Sequence, residues 1–99
     1  MYIRRSCFIV LCGFLAACAA APAQEMSDAR QAIESAMATG AEDHTNPAMR
    51  EARQLMEQAQ RAIEEHRYQD ARSMALEAKT KAISARIVVR QESLYPESR

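Results

Sequence analysis

Apolar residues recur along this chain at helical spacing, in three successive runs separated by breaks. In the first run, Ala29, Ala32, Ile33, Ala36 and Met37 follow the i, i+3, i+4, i+7, i+8 pattern of one buried helical stripe. Ser27-Asp28 supplies a capping hydroxyl and a first-turn acid ahead of it, and Gly40 falls where a helix C′ residue belongs. The pattern predicts a first helix from Ser27 to about Thr39. A second run begins at Asn46-Pro47, a natural N-cap followed by a residue whose missing N–H costs nothing at the first helical position. Ala48, Ala52, Leu55, Ala59 and Ala62 then step by four and three, with Met49, Met56 and Ile63 beside them at intervals of seven. After a short break at "EHRYQDA", Ala71, Ala75, Ala78, Ala82, Ala85 and Val89 repeat the stepping, and Leu76 and Ile83 again lie seven apart. Pro96 biases the residue before it away from helix, which places the end of the third helix near Arg90 to Ser93.

No run alternates with the period of a strand, and no glycine or proline interrupts residues 48–95. The expected fold is therefore all-α: an antiparallel helical hairpin with an additional N-terminal helix, forming a small, Ala-rich, coiled-coil-like three-helix bundle. Alanine has the best helix propensity and lets helix axes approach closely, but it buries little apolar area. Roughly 65 ordered residues with such seams make a thin core. The expectation is a weakly stable monomer, a dimer, or a domain that docks on a partner.

The residues before the first helix have a different character. Arg4 and Arg5 are followed by an uncharged apolar run from Cys7 to Cys18, which suits the h-region of an export signal and is too short to cross a bilayer as a helix. Two cuts are conceivable. Leu15-Ala16-Ala17-Cys18 resembles the lipobox of bacterial lipoproteins, in which the cysteine takes the lipid. Ala21-Pro22-Ala23 fits the small-x-small rule of ordinary signal peptidase. Cys12 has a bulky residue before it and Cys7 comes too early in the apolar run, so the reading adopted is cleavage before Cys18 and lipidation of that residue. By resemblance to enterobacterial lipoproteins, Ala19 in place of aspartate implies delivery to the periplasmic face of the outer membrane. The corresponding division is residues 1–17 as signal, 18–26 as lipidated cysteine and tether, 27–90 as the three-helix domain and 91–99 as a frayed tail.

Charge and cysteine content narrow the function classes. Of 13 bases, Arg4 and Arg5 leave with the signal, so 11 face 13 acids in what remains. This is no basic stripe for nucleic acid. All three cysteines lie at or before position 18, so the folded part holds no disulfide, thiolate metal site or cysteine nucleophile. The two histidines, His44 and His66, fall in different turns, and nothing supplies a convergent ligand set; no metal and no cofactor is expected. The five methionines beyond the signal read as core. The acid pairs Glu42-Asp43 and Glu64-Glu65 read as solvated charge, because adjacent side chains diverge on a helix. With no nucleophile elbow, phosphate loop or pocket-sized fold, neither an enzyme nor a small-molecule substrate is expected.

The residues from Ser27 to Ile87 resemble an uncharacterised family of small bacterial lipoproteins, domain of unknown function 4398. The likeness rests on the Ala29/Ala32 pair, the Gly40-Ala41 turn, Pro47 followed by Ala52, Leu55 and Ala59, then Tyr68-x-x-Ala71 and the alanine ladder to Ala85. The resemblance implies no activity. Residues 59–78 also resemble half of a tetratricopeptide unit, although its turn, His66-Arg67-Tyr68-Gln69-Asp70-Ala71, lacks the usual glycine. One hairpin cannot build a repeat array. The expectation is a structural or protein-interaction module of the cell envelope, held to membrane lipid through acylated Cys18 and contacting an envelope protein or a second copy of itself. The alternatives are a soluble periplasmic protein released after Ala23, or a periplasmic metal or small-ligand carrier. A wall-linked spacer resembling the major outer-membrane lipoprotein is disfavoured: the last lysine, Lys81, lies within a helix, whereas that protein ends in the lysine that is joined.

Overall fold

The structure is a computed structural model that describes residues 21–43 and 45–94. Three helices follow one another: α1 from Ala23 to Thr39, α2 from Pro47 to Glu64 and α3 from Tyr68 to Leu94. Among the described residues there is no strand. The architecture is the all-α three-helix arrangement expected. α3 is its spine, since both α1 and α2 pack mainly against α3 and touch each other least.

The reason lies in the alanine ladder. Ala71, Ala75, Ala78, Ala82 and Ala85 are all fully buried, as are Ala29 and Ala36 of α1 and Ala52, Ala59 and Ala62 of α2. A methyl is the smallest side chain that still excludes water, so backbones approach near the short end of the 8–10 Å range. The larger core side chains, Met26, Ile33, Met49 and Met56, sit on α1 and α2 and share one core cluster with the alanines.

Two stripes are rotated from their expected places. On α2 the fully covered positions are Met49, Ala52, Met56, Ala59 and Ala62, while Ala48 and Leu55 are only partly buried. The methionines, not Leu55, are the covered large side chains of α2, and an unbranched thioether adapts well to a shallow, Ala-lined core. On α1, Met26, Ala29, Ile33 and Ala36 are buried, Ala32 only in part, and Met37 is half exposed.

The helix ends are also displaced. α1 begins at Ala23, four residues before the expected Ser27, so Ala21 to Met26 are not all tether. Pro22 takes the N-cap position without a side-chain bond, and its carbonyl accepts from the Met26 N–H at 3.0 Å. Burial of Pro22 and Met26, a Gln24–Asp28 hydrogen bond and the Glu25–Arg72 ion pair hold this extra turn. At the other end α3 runs to Leu94, so Gln91 to Leu94 are helical and not part of a frayed tail. Residues 1–20 and 95–99 lie outside the described residues, and with them the lipobox and the expected cut before Cys18; the alternative cut after Ala23 falls within the first turn of α1.

The turns explain how a hairpin forms without the expected glycine. After α1, Gly40 adopts φ 113°, and the N–H groups of Gly40 and Ala41 donate back to the carbonyls of Met37 and Ala36. After α2 the same double bond recurs, His66 to Ile63 and Arg67 to Ala62, with His66 itself at φ 61°. His66 thus stands in the left-handed position that favours glycine. Its ring is anchored by Tyr68, edge to face at a centroid distance of 5.9 Å and with Nδ1 3.1 Å from the phenol oxygen.

Candidate functional surfaces

Three features of the described surface carry potential function: a buried polar clasp, an open groove, and an apolar row on the outside of α3. The clasp is Asn46. Its side-chain oxygen accepts from the Met49 N–H at 3.2 Å and so caps α2, while its amide donates 3.1 Å to the Ala85 carbonyl of α3. Asn46 is 5% exposed and is the buried polar residue of the described fold. One side chain therefore both starts α2 and fixes its end against α3, a structural role that leaves no atom over for a ligand.

The groove lies between α1 and α2, the two helices that touch each other least. Ile33, Met37 and Met56 line one stretch of about 480 Å³, rimmed by Arg30, Glu34 and Arg53. A second stretch of about 570 Å³ continues toward Ala21, Met26 and Ile63, sharing Arg30 and Gln60. Arg53 spans the mouth, pairing with Asp43 at 2.6 Å and lying 2.8 Å from the Met37 sulfur. Both stretches are open to solvent, and their floors are the partly covered edges of core residues.

The row on α3 is of another kind. Leu76, Ile83, Ile87 and Leu94 are 50%, 40%, 48% and 67% exposed. At about 100° per residue they fall in one line, roughly 140° round the helix from the centre of the alanine ladder. α3 is thus apolar on two opposed faces, small residues inward and large ones outward. With Leu76 placed at heptad position d, Ile83 and Arg90 also fall at d, and Thr80, Ile87 and Leu94 at a. The Thr80 hydroxyl bonds back to the Leu76 carbonyl at 3.1 Å, and the Ser84 hydroxyl to the Thr80 carbonyl at 3.1 Å. These polar side chains are satisfied within the helix. The basic flank is turned inward as well: Arg72 pairs with Glu25 and Arg86 donates to the Ser35 hydroxyl, both on α1.

The candidate residues singled out by chemistry do not converge. Among the described residues no group of three His, Cys, Asp or Glu could hold a metal ion. His66 is in the second turn; His44 and Cys18 lie outside the described residues. Asp43 is paired with Arg53, and Glu65 with Arg67, whose guanidinium is held above its ordinary pKa by its hydrogen bonds to Glu65 and Asp70. Glu51 likewise raises the Lys81 ammonium by a 2.8 Å hydrogen bond across α2 and α3. Both pairs are solvent-facing. No described helix is long and apolar enough to cross a membrane. The seven-residue interval between Leu76 and Ile83 is visible in the sequence; its extension to Ile87 and Leu94 as an uncovered row needed the orientation of α3.

Fold and surface together define a small helical domain whose distinguishing features are faces for packing. The chain matches the family model described as a domain of unknown function (DUF4398) over residues 24–94. It belongs to that family. Neither the curated proteins nor the solved structures contain a match to it.

Proposed function

We propose that this protein is a structural or protein-interaction module of the bacterial cell envelope, anchored by lipid on Cys18 and making contacts through its helix faces. The observation that carries the interaction reading is the exposed row Leu76, Ile83, Ile87 and Leu94 on the outside of α3. Four large apolar side chains in one line, interrupted at Thr80 and Arg90, form the grouped exposure that contact sites present, whereas single exposed apolar residues need no explanation. Helical rows of this spacing are recognised by other helices.

The anchoring reading has separate support. Cleavage after Ala23 would remove Pro22, which is buried, together with the carbonyl that accepts from Met26. Cleavage before Cys18 leaves both in place and keeps the first turn of α1 whole. A single acyl chain binds a membrane only marginally, and several chains on one cysteine hold it durably. The experiment is to measure the intact mass of the exported protein in membrane and soluble fractions, with Cys18→Ser beside it. A mass increment of several acyl chains on a chain starting at Cys18 is expected, as is release of the variant from the membrane. An unmodified chain starting at Gln24 would refute the anchor. For the interaction half, a photo-reactive residue at Ile83 should crosslink to envelope protein in intact cells, and one at Glu57 should do so far less.

A further inference from the structure

Building on the interaction reading of α3, we propose that the occupant of its outer row is the same row of a second copy, packed antiparallel about a two-fold axis near Ala85. The row is a palindrome. It reads Leu, Ile, Ile, Leu at positions 76, 83, 87 and 94, with intervals of 7, 4 and 7, and is therefore the same from either end. A two-fold interface requires this kind of self-complementarity, in which residue i meets j and j meets i. An axis at position 85 sets Leu76 against Leu94 of the second copy and Ile83 against Ile87, twice each.

The remaining positions of the row fit the same arrangement. Thr80 comes level with Arg90 of the second copy, whose backbone level is three residues, about 4.5 Å along the axis, from that of Glu77. In a parallel pairing Arg90 would instead face its own counterpart across a d layer. The Thr80 and Ser84 hydroxyls are already bonded within the helix and bring no unsatisfied donor to the contact. Arg72 and Arg86, held by Glu25 and Ser35, are drawn away from the seam toward α1. At exposures of 40–67% the four side chains offer on the order of 400 Å² of apolar surface per copy. That is about half of a standard interface per partner, the size class of weak, transient contacts, and fits a reversible dimer.

The test uses two differently tagged full-length chains co-expressed in an exporting bacterium, one Leu76→Cys and one Leu94→Cys, with the parent chain setting the background from its own cysteines. Mild oxidation should give a reducible dimer carrying both tags. Leu76→Cys expressed with itself should not link, since those positions lie about 27 Å apart in the antiparallel pair. Adding Ile83→Asp and Ile87→Asp should abolish the link at unchanged helix content, because neither side chain belongs to the core. Self-linking of Leu76→Cys, or no double-tagged dimer above background at equal membrane levels, would overturn the second-copy assignment. In that event continued crosslinking of other envelope proteins from Ile83 leaves the interaction reading standing; its loss takes both down together.

Discussion

Replacing Asn46 separates the two tasks its side chain performs, and the structure sets what each should cost. Asn46→Ala removes the cap on Met49 N–H, worth about 1 kcal/mol, and the buried bond to the Ala85 carbonyl, worth about 1 kcal/mol more. It also leaves a buried Met49 N–H without its partner, so a total loss of about 2–3 kcal/mol is expected. Asn46→Asp keeps the capping oxygen but replaces the donor with an acceptor facing the Ala85 carbonyl. If the interhelical bond matters, this near-isosteric change costs at least about 1 kcal/mol at neutral pH, despite the preference of helix N-termini for negative charge. The introduced carboxyl is then held above its ordinary pKa in the folded state. Its penalty is fully present above that folded value and shrinks as pH falls, because the protonated group can donate to Ala85 again. Urea unfolding followed by circular dichroism, at neutral pH and near pH 4, measures both changes. An Asn46→Asp chain within about 0.5 kcal/mol of the parent at neutral pH would refute the clasp and reduce Asn46 to a cap.

Three further outcomes follow from the packing. Ala78→Leu forces extra methylenes into a fully closed helix contact and should lower stability by about 2–3 kcal/mol in the same urea assay. Gly40→Ala should cost about 1 kcal/mol through its φ of 113° alone, since the added methyl would meet Val89 only at an ordinary 3.7 Å; Gly40→Asn should cost less. The Glu25–Arg72 pair is about 70% covered, and a double-mutant cycle should give a coupling below about 1 kcal/mol, with loss of amide-exchange protection confined to the first turn of α1.

How much of this was legible follows from where each signal resides. The three helices and the ladder from Ala71 to Ala85 are written in local spacing, which a single helix carries by itself. The rotation of the α2 stripe from Leu55 onto Met49 and Met56 is not local. It depends on the Ala-lined core into which α2 packs, where a flexible thioether is covered more fully than Leu55. The early start of α1 was hidden because Pro22 and Ala23 also satisfy a cleavage rule, and the burial of Pro22 and Met26 that goes with the extra turn depends on packing against the other helices. The turn after α2 was placed by the break in the pattern, but how it closes was not, because His66 takes a backbone conformation usually taken by glycine. Of the candidate surfaces, the Leu76–Ile83 interval was in view. That Ile87 and Leu94 complete it on a face without cover could be seen only once α1 and α2 were both placed on the other side of α3.

That placement links the thin core to the outward row. A helix that gives its inner face to alanine gains close approach on both sides but contributes little apolar burial per residue. Its larger apolar residues, Leu76, Ile83 and Ile87, would have served stability if turned inward, yet they stand at 40–50% exposure. Exchanging the two faces in register would give a conventional Leu/Ile core and a mild Ala surface, and the observed order is the reverse. Stability of the lone domain alone does not favour this arrangement. Burial of the outer row in an assembly does, because the area absent from the interior is then recovered between molecules, and the folded domain and its contact strengthen each other by mass action. The mid-point of urea unfolding should accordingly rise with protein concentration for the parent chain and become independent of it for Ile83→Asp. A parent chain whose unfolding is flat across a hundredfold range of concentration above about 100 µM would break the link between the alanine ladder and the outer row.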